Sequence, residues 1–139
     1  MGWLLIVGGM RLSDHTDFRA LLSTIPAGCP VHYGQVPNDP AYPYVLVRGG
    51  AERPSWRSLN RTVHLSSTRW RVTVAGANSA SVLIVLGQVQ DVLEGARVGG
   101  KRLEQLPTYE GTDPLMDEDV KLVNGSHPFY AVTEWQILS

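Results

Sequence analysis

Tyr33-Gly34-Gln35-Val36-Pro37-Asn38-Asp39-Pro40-Ala41-Tyr42-Pro43-Tyr44-Val45-Leu46-Val47-Arg48-Gly49-Gly50 is the stretch on which the rest of the chain turns. Three prolines stand within the seven positions from Pro37 to Pro43, and an apolar run follows that meets a double glycine. Each proline fixes its own φ and pushes the residue before it toward extended backbone, so no helix starts here. The run after Pro43 is short, β-branched and bounded by glycine, which predicts a buried or half-buried strand ending at Gly49-Gly50. A helix-like segment lies before this stretch and a strand-helix-strand arrangement after it, so it joins two halves. It carries no group suited to bond-making chemistry.

Upstream, Ser13-Asp14-His15-Thr16-Asp17 opens a helix. Ser13 or Asp14 can accept orphan N–H bonds, and the acids suit the positive end of the helix dipole. Phe18, Leu21, Leu22 and Ile25 then recur at spacings of three and four, and Pro26 and Gly28 end the pattern. Val31-His32-Tyr33 begins a short extended segment.

Downstream, residues 51–61 follow neither period and read as a polar, cationic loop around Pro54 and Trp56. An ordered monomer rarely leaves Trp exposed on a loop, so Trp56 either folds back or meets a partner. Thr68 to Ala75 alternates: Trp70, Val72 and Val74 point one way, Arg69, Arg71 and Thr73 the other. The plain account of that basic side is a solvated sheet surface. Asn78, Ser79 or Ser81 can cap a second helix, whose Val82, Val85, Leu86, Val89, Val92 and Leu93 mark one apolar face and whose stop is Gly95. Its valines lower intrinsic helicity, so burial against the Trp70 to Val74 strand has to hold it. Val98-Gly99-Gly100-Lys101 is a tight turn before a short strand ending near Leu106. Residues 107–124 are polar, acidic and irregular. Phe129 to Leu138 alternates with apolar residues on both faces, which predicts a long interior strand.

Bulk properties exclude several classes. A chain of 139 residues with 43% hydrophobic and 18% charged content is long enough for one packed core and is not a disordered sequence. Net charge is −1 and the pI near 6.4, which opposes a dedicated nucleic-acid binder. The charges are nevertheless segregated. Arg48, Arg53, Arg57, Arg61, Arg69 and Arg71 fall within 24 positions, whereas Asp113, Asp117, Glu118 and Asp119 lie later. Cys29 is the only cysteine, so no internal disulfide forms, which suits a reducing compartment. The apolar opening from Met1 to Met10 lacks a cationic n-region, is too short to span a bilayer, and has Ile6 where myristoylation needs Ser or Thr. No membrane role is expected, and the protein is expected to be soluble and cytoplasmic when made.

The sequence holds little that points to chemistry. Gly95 to Lys101 satisfies the first half of a phosphate-loop pattern, but Arg102 stands where Ser or Thr is required, and the segment follows a helix instead of a strand. His15, His32, His64 and His127 are isolated from one another and from Cys29, so no metal-ligand spacing occurs. The later acids do not match an EF-hand loop and read as a solvated loop. No Gly-x-Ser-x-Gly elbow is present. The expectation is a protein that is not an enzyme, with no cofactor, no metal and no catalytic residue.

The order of elements carries a resemblance. A capped helix, a short strand, a proline-rich turn running into Pro43-Tyr44-Val45, the strand Trp70-Arg71-Val72-Thr73-Val74 running into Ala75-Gly76-Ala77-Asn78-Ser79, a helix ending Asp91-Val92-Leu93-Glu94 and a closing aromatic strand resemble the tail terminator (tail completion) family of long-tailed bacteriophages. The likeness covers Ser13 to Leu138, in element order more than in identity. Departures are an apolar extension at 1–12 and an acidic insertion at 107–124.

The resemblance implies one α+β domain over 1–139, with two main helices packed on a mixed or antiparallel sheet, and assembly as a homohexameric ring in the virion tail or neck after synthesis in the host cytoplasm. In that family the ring caps the tail tube, ends polymerisation of the major tail tube protein and presents a surface to the head-completion or connector protein. Genomic DNA passes through its lumen without being read. A ring contact of this kind needs two different complementary patches on each subunit. The segregated charges put Arg53, Trp56, Arg57 and Arg61 on one and Asp117, Glu118 and Asp119 on the other. The alternatives are another neck component, a head-closure or connector subunit, and a nucleic-acid-binding module built on the arginine-rich middle.

Overall fold

The computed structural model describes residues 12–25, 29–57, 64–107 and 113–138, with side chains described over 14–25, 29–49, 68–107 and 113–137. In chain order the elements are α1 (Leu12–Leu22), β1 (Val31–Tyr33), β2 (Tyr44–Arg57), β3 (His64–Gly76), α2 (Ser79–Leu93), β4 (Arg97–Val98), β5 (Lys101–Arg102), β6 (Glu104–Leu106), β7 (Leu115–Met116) and β8 (Phe129–Leu138). The main sheet has the order β1-β2-β3-β8-β6, and β7 pairs with β8 on the β6 side. β1 runs parallel to β2 and every other pairing is antiparallel, so the sheet is mixed and the class is α+β.

Register explains which face is covered. Val45 is level with Val74 and Ala131, Val47 with Val72 and Thr133, and Gly49 with Trp70 and Trp135. Side chains alternate along strands, so this set shares one face, and every member but Gly49 is buried. Onto that face α2 lays Val82, Val85, Leu86, Val89 and Leu93, five of the six positions that its periodicity predicts, with the sixth, Val92, half-buried beside them. Asn78 caps α2 through Oδ1, which accepts the Ser81 N–H at 2.8 Å. From α1, Phe18 stacks on Trp70 with centroids 4.5 Å apart and planes within 5°. Each large aromatic buried there contributes about 4–6 kcal/mol of transfer free energy before the entropy of ordering is subtracted. The buried Trp135 and Thr133 side chains are paired: Trp135 Nε1–H donates to Thr133 Oγ1 at 2.9 Å, and that hydroxyl donates to the Val72 carbonyl at 3.4 Å.

Three expectations are corrected. The strand after Pro43 does not end at Gly49-Gly50. It continues to Arg57, so residues 51–57 are strand and not loop. Partners run Gly49↔Trp70 then Glu52↔Thr68, and Pro54↔Ser66 then Trp56↔Leu65, so β2 holds one extra residue at each of two bulges. Each bulge flips the facing of the strand residues beyond it, which erases the alternation by which a strand is recognised. Second, α1 begins at Leu12, so Ser13 and Asp14 lie inside its first turn. Asp14 is buried, its carboxylate against Gly99, and Asp17 Oδ2 accepts the Gly99 N–H at 3.0 Å. The two acids clamp the β4–β5 turn, whose Gly99 and Gly100 have φ of +60° and +78° as a two-residue hairpin turn requires. Third, the irregular stretch 107–124 contains β7.

Candidate interaction site

The structure separates the predicted interface residues into two groups at opposite ends of the sheet. Arg53 is level with Ser67, Trp56 with Leu65 and Arg57 with His64. Among the described residues β8 pairs with β3 from Gly76 to Ser67, while Pro54–Arg57 of β2 run alongside His64–Ser66 of β3. Arg61 lies outside the described residues, as do the side chains of Arg53, Trp56 and Arg57. Asp117, Glu118 and Asp119 follow β7, which pairs with Phe129 and Tyr130 at the start of β8. That end is level with Tyr44, the first residue of β2. Along β2, Arg53 and Arg57 stand about 30 Å and about 40 Å beyond Tyr44 at the rise of an extended strand. One chain does not bring these positions to its own acids.

At the acidic end the outer face of the sheet, the one without helices, carries a pocket of about 240 Å³. Its floor is set by register: Tyr44, Ala75 and Tyr130 lie side by side, a small residue between two tyrosines. Tyr42, Asp117 and Val120 form its rim. The Tyr42 and Tyr44 rings are 5.3 Å apart and tilted by 49°, and His32 meets Tyr44 edge-on at 5.8 Å. Asp117 is anchored by its N–H, which donates to the Pro128 carbonyl at 2.8 Å, while its Oδ1 accepts the Asp119 N–H at 3.2 Å. Burial pushes the Tyr42 phenol above its usual value, and the negative charges of Asp117 and Asp39 push it further. The Tyr44 phenol is raised by burial, then by Tyr42 and Asp117. Among the described residues no Lys or Arg pairs with Asp117, so the pocket is aromatic, acidic and uncompensated.

Sequence reading missed this pocket. Tyr42 and Tyr44 stood out only as a strand signal, and nothing local shows that Tyr130 lies two strands away across an alanine. It also missed the outward side of α2, where Leu83 and Ile84 are 53% and 64% exposed. The basic side of β3 is open as expected: Arg69 and Arg71 are exposed beside Arg48, whose Nε donates to the Gly34 carbonyl at 3.2 Å. Arg71 pairs with Glu134 at 3.4 Å, a surface contact worth about 0–1 kcal/mol.

Cys29 is half-buried and burial pushes its thiol up, away from a reactive thiolate. Among the described residues no three His, Cys, Asp or Glu side chains are grouped to hold a metal ion. No helix among them is long and apolar enough to cross a membrane.

No family model matches the sequence, and no curated protein matches it. Among solved structures, a chain from the virion of a native gene transfer agent particle is 18% identical over 91% of this chain and 92% of its own, with a TM-score of 0.41. A second solved chain is 15% identical over 91% of this chain and 86% of its own, with a TM-score of 0.44. Likeness this slight carries neither fold nor function across.

Proposed function

We propose that this chain is a structural virion subunit of the tail-terminator kind. It assembles as a homohexameric ring that caps the tail tube, ends polymerisation of the tube protein and offers the head-completion or connector protein a joining surface. Genomic DNA passes through the lumen unread. What supports this reading is the separation along one sheet of the arginine-bearing positions 53 and 57 of β2 from Asp117, Glu118 and Asp119 after β7. A head-to-tail contact requires two different patches on each subunit, and a fixed angle between them closes a ring.

Negative-stain imaging of the full chain, alone and with tail tubes, tests the reading. The expected result is six-fold rings, rings seated on tube ends and tubes that no longer lengthen. A particle in which this chain touches no copy of itself refutes it, and rings that seat on heads but never on tubes assign it to the head-closure side of the neck. The nucleic-acid reading has one observation in its favour, the open face bearing Arg48, Arg69 and Arg71. A gel shift that weakens steeply with salt would support that reading.

A further inference from the structure

The aromatic pocket at the start of β2 and β8 is held together from three sides. Strand register seats Tyr44 and Tyr130 on either side of Ala75, and Tyr42 closes on Tyr44 with ring centroids 5.3 Å apart. The loop after β7 fixes Asp117 and Val120 at the rim: the Asp117 N–H donates to the Pro128 carbonyl at 2.8 Å, and His127 Nδ1–H donates to the Val120 carbonyl at 2.6 Å. The cavity between them is about 240 Å³, below the roughly 300–1,000 Å³ of a small-molecule site and suited to one side chain. Its field is negative. Burial raises the Tyr42 phenol, and Asp117 and Asp39, from two different loops, raise it further. Among the described residues no cation pairs with Asp117.

We propose that this pocket binds the guanidinium of an arginine carried by a separate protein. Aromatic faces attract a cation within about 6 Å of the ring, and a carboxylate at the edge adds charge-assisted hydrogen bonds. Arginine meets both needs at once, because its planar head stacks on a ring while its fork of N–H groups reaches a carboxylate. A lysine ammonium is a more strongly hydrated point charge and does neither as well. Among the described residues, several arginines of this chain are already engaged. Arg19 lies 4.1 Å over the Tyr33 ring, Arg71 pairs with Glu134, and Arg48 and Arg97 donate to the Gly34 and Gly100 carbonyls. Charge complementarity thus selects a basic segment of a partner, one that presents an arginine to a recessed, acidic, aromatic site. This holds whether or not the chain forms rings.

Titration of the full chain with short capped peptides tests it, read by amide NMR shifts and calorimetry. One peptide carries a single arginine among alanines; two others carry lysine or citrulline, the neutral isostere, in its place. The arginine peptide is expected to shift Tyr42, Tyr44, Asp117 and Tyr130 and to bind at least about tenfold more tightly than the citrulline peptide. Asp117→Asn removes the charge but keeps an oxygen for the Asp119 N–H, so circular dichroism should be unchanged while affinity falls at least about fivefold. Equal binding of the arginine and citrulline peptides, shifts confined to Glu118 and Asp119, or no shift at millimolar peptide overturns the proposal. Lysine bound as tightly as arginine overturns the guanidinium assignment. Self-association of the chain that the arginine peptide dissolves would put the occupant on a second copy and overturn the separate partner.

Discussion

Replacing Gly49 with alanine is expected to weaken the fold well beyond what an exposed strand position ordinarily costs. Gly49 has φ of +105°, a backbone region that L-residues rarely occupy. A Cβ built there would run into the Arg69 carbonyl oxygen and lie 3.2 Å from the Trp70 Cα, both on the β3 backbone. Backbone atoms of a paired strand cannot swing aside as a side-chain tip can. The conformational part costs about 1–3 kcal/mol, and loosening the ladder at the bulge adds about 1 kcal/mol for a weakened hydrogen bond. The sum, about 2–4 kcal/mol, is a large share of a typical 5–15 kcal/mol and corresponds to a melting shift of roughly 5–15 °C. Gly34→Ala supplies the internal control, since φ there is +90° but nothing lies within 4 Å of the added carbon. It should show only the conformational part. Urea titration followed by far-UV circular dichroism, with calorimetry alongside, measures both. Gly49→Ala unfolding within about 0.5 kcal/mol of wild type at an unchanged m-value would refute the bulge reasoning.

Gly87, inside α2 with open space where a Cβ would go, should respond in the opposite sense: Gly87→Ala should stabilise by about 0.5–1 kcal/mol, read from the same urea curves. Val89→Asp puts an unpaired charge at a position with no exposed surface and should cost several kcal/mol; a folded variant with unchanged melting would mean that α2 does not face the sheet. Burial, and then the Arg19 guanidinium, hold His15 below its usual 6.5, and its neutral Nδ1 accepts the Trp70 Nε1–H at 3.4 Å. The unfolded chain therefore takes up this proton first, so the stability contributed is complete above about pH 6.5 and drains as pH falls toward the lower folded value. Melting temperature should drop with acidification over that window, and His15→Gln should flatten the drop. Trp56→Ala should impair self-association more than folding, because an interface Trp carries roughly 2–4 kcal/mol while an exposed substitution costs about 0.5 kcal/mol or less. A variant that melts much earlier yet assembles normally would make Trp56 a core residue.

Much of the fold was legible locally. Helix α2 was legible from residues three and four apart, because a helix repeats every 3.6 residues, and of its three candidate caps, Asn78, Ser79 and Ser81, the structure uses Asn78. The alternation of β3 likewise predicted its buried face, the apolar residues on both sides of β8 predicted its interior place, and the glycine pair at 99–100 announced its turn. What failed locally failed for a physical reason. A double glycine reads as a stop when propensity alone is considered, yet β3 supplies a ladder that carries β2 past it, and two bulges scramble the alternation on the far side.

The chain by itself determined the segregation of charge, with arginines in the middle and acids after residue 112, and the identity of the residues that fill the core. Only tertiary structure decided how far Arg53 and Arg57 stand from Asp117, Glu118 and Asp119, since that distance depends on how far β2 runs and where β7 docks. The pocket belongs wholly to that second level. Tyr44, Ala75 and Tyr130 are far apart in sequence and become neighbours through strand register, and register is a property of the pairing of strands, not of any one of them.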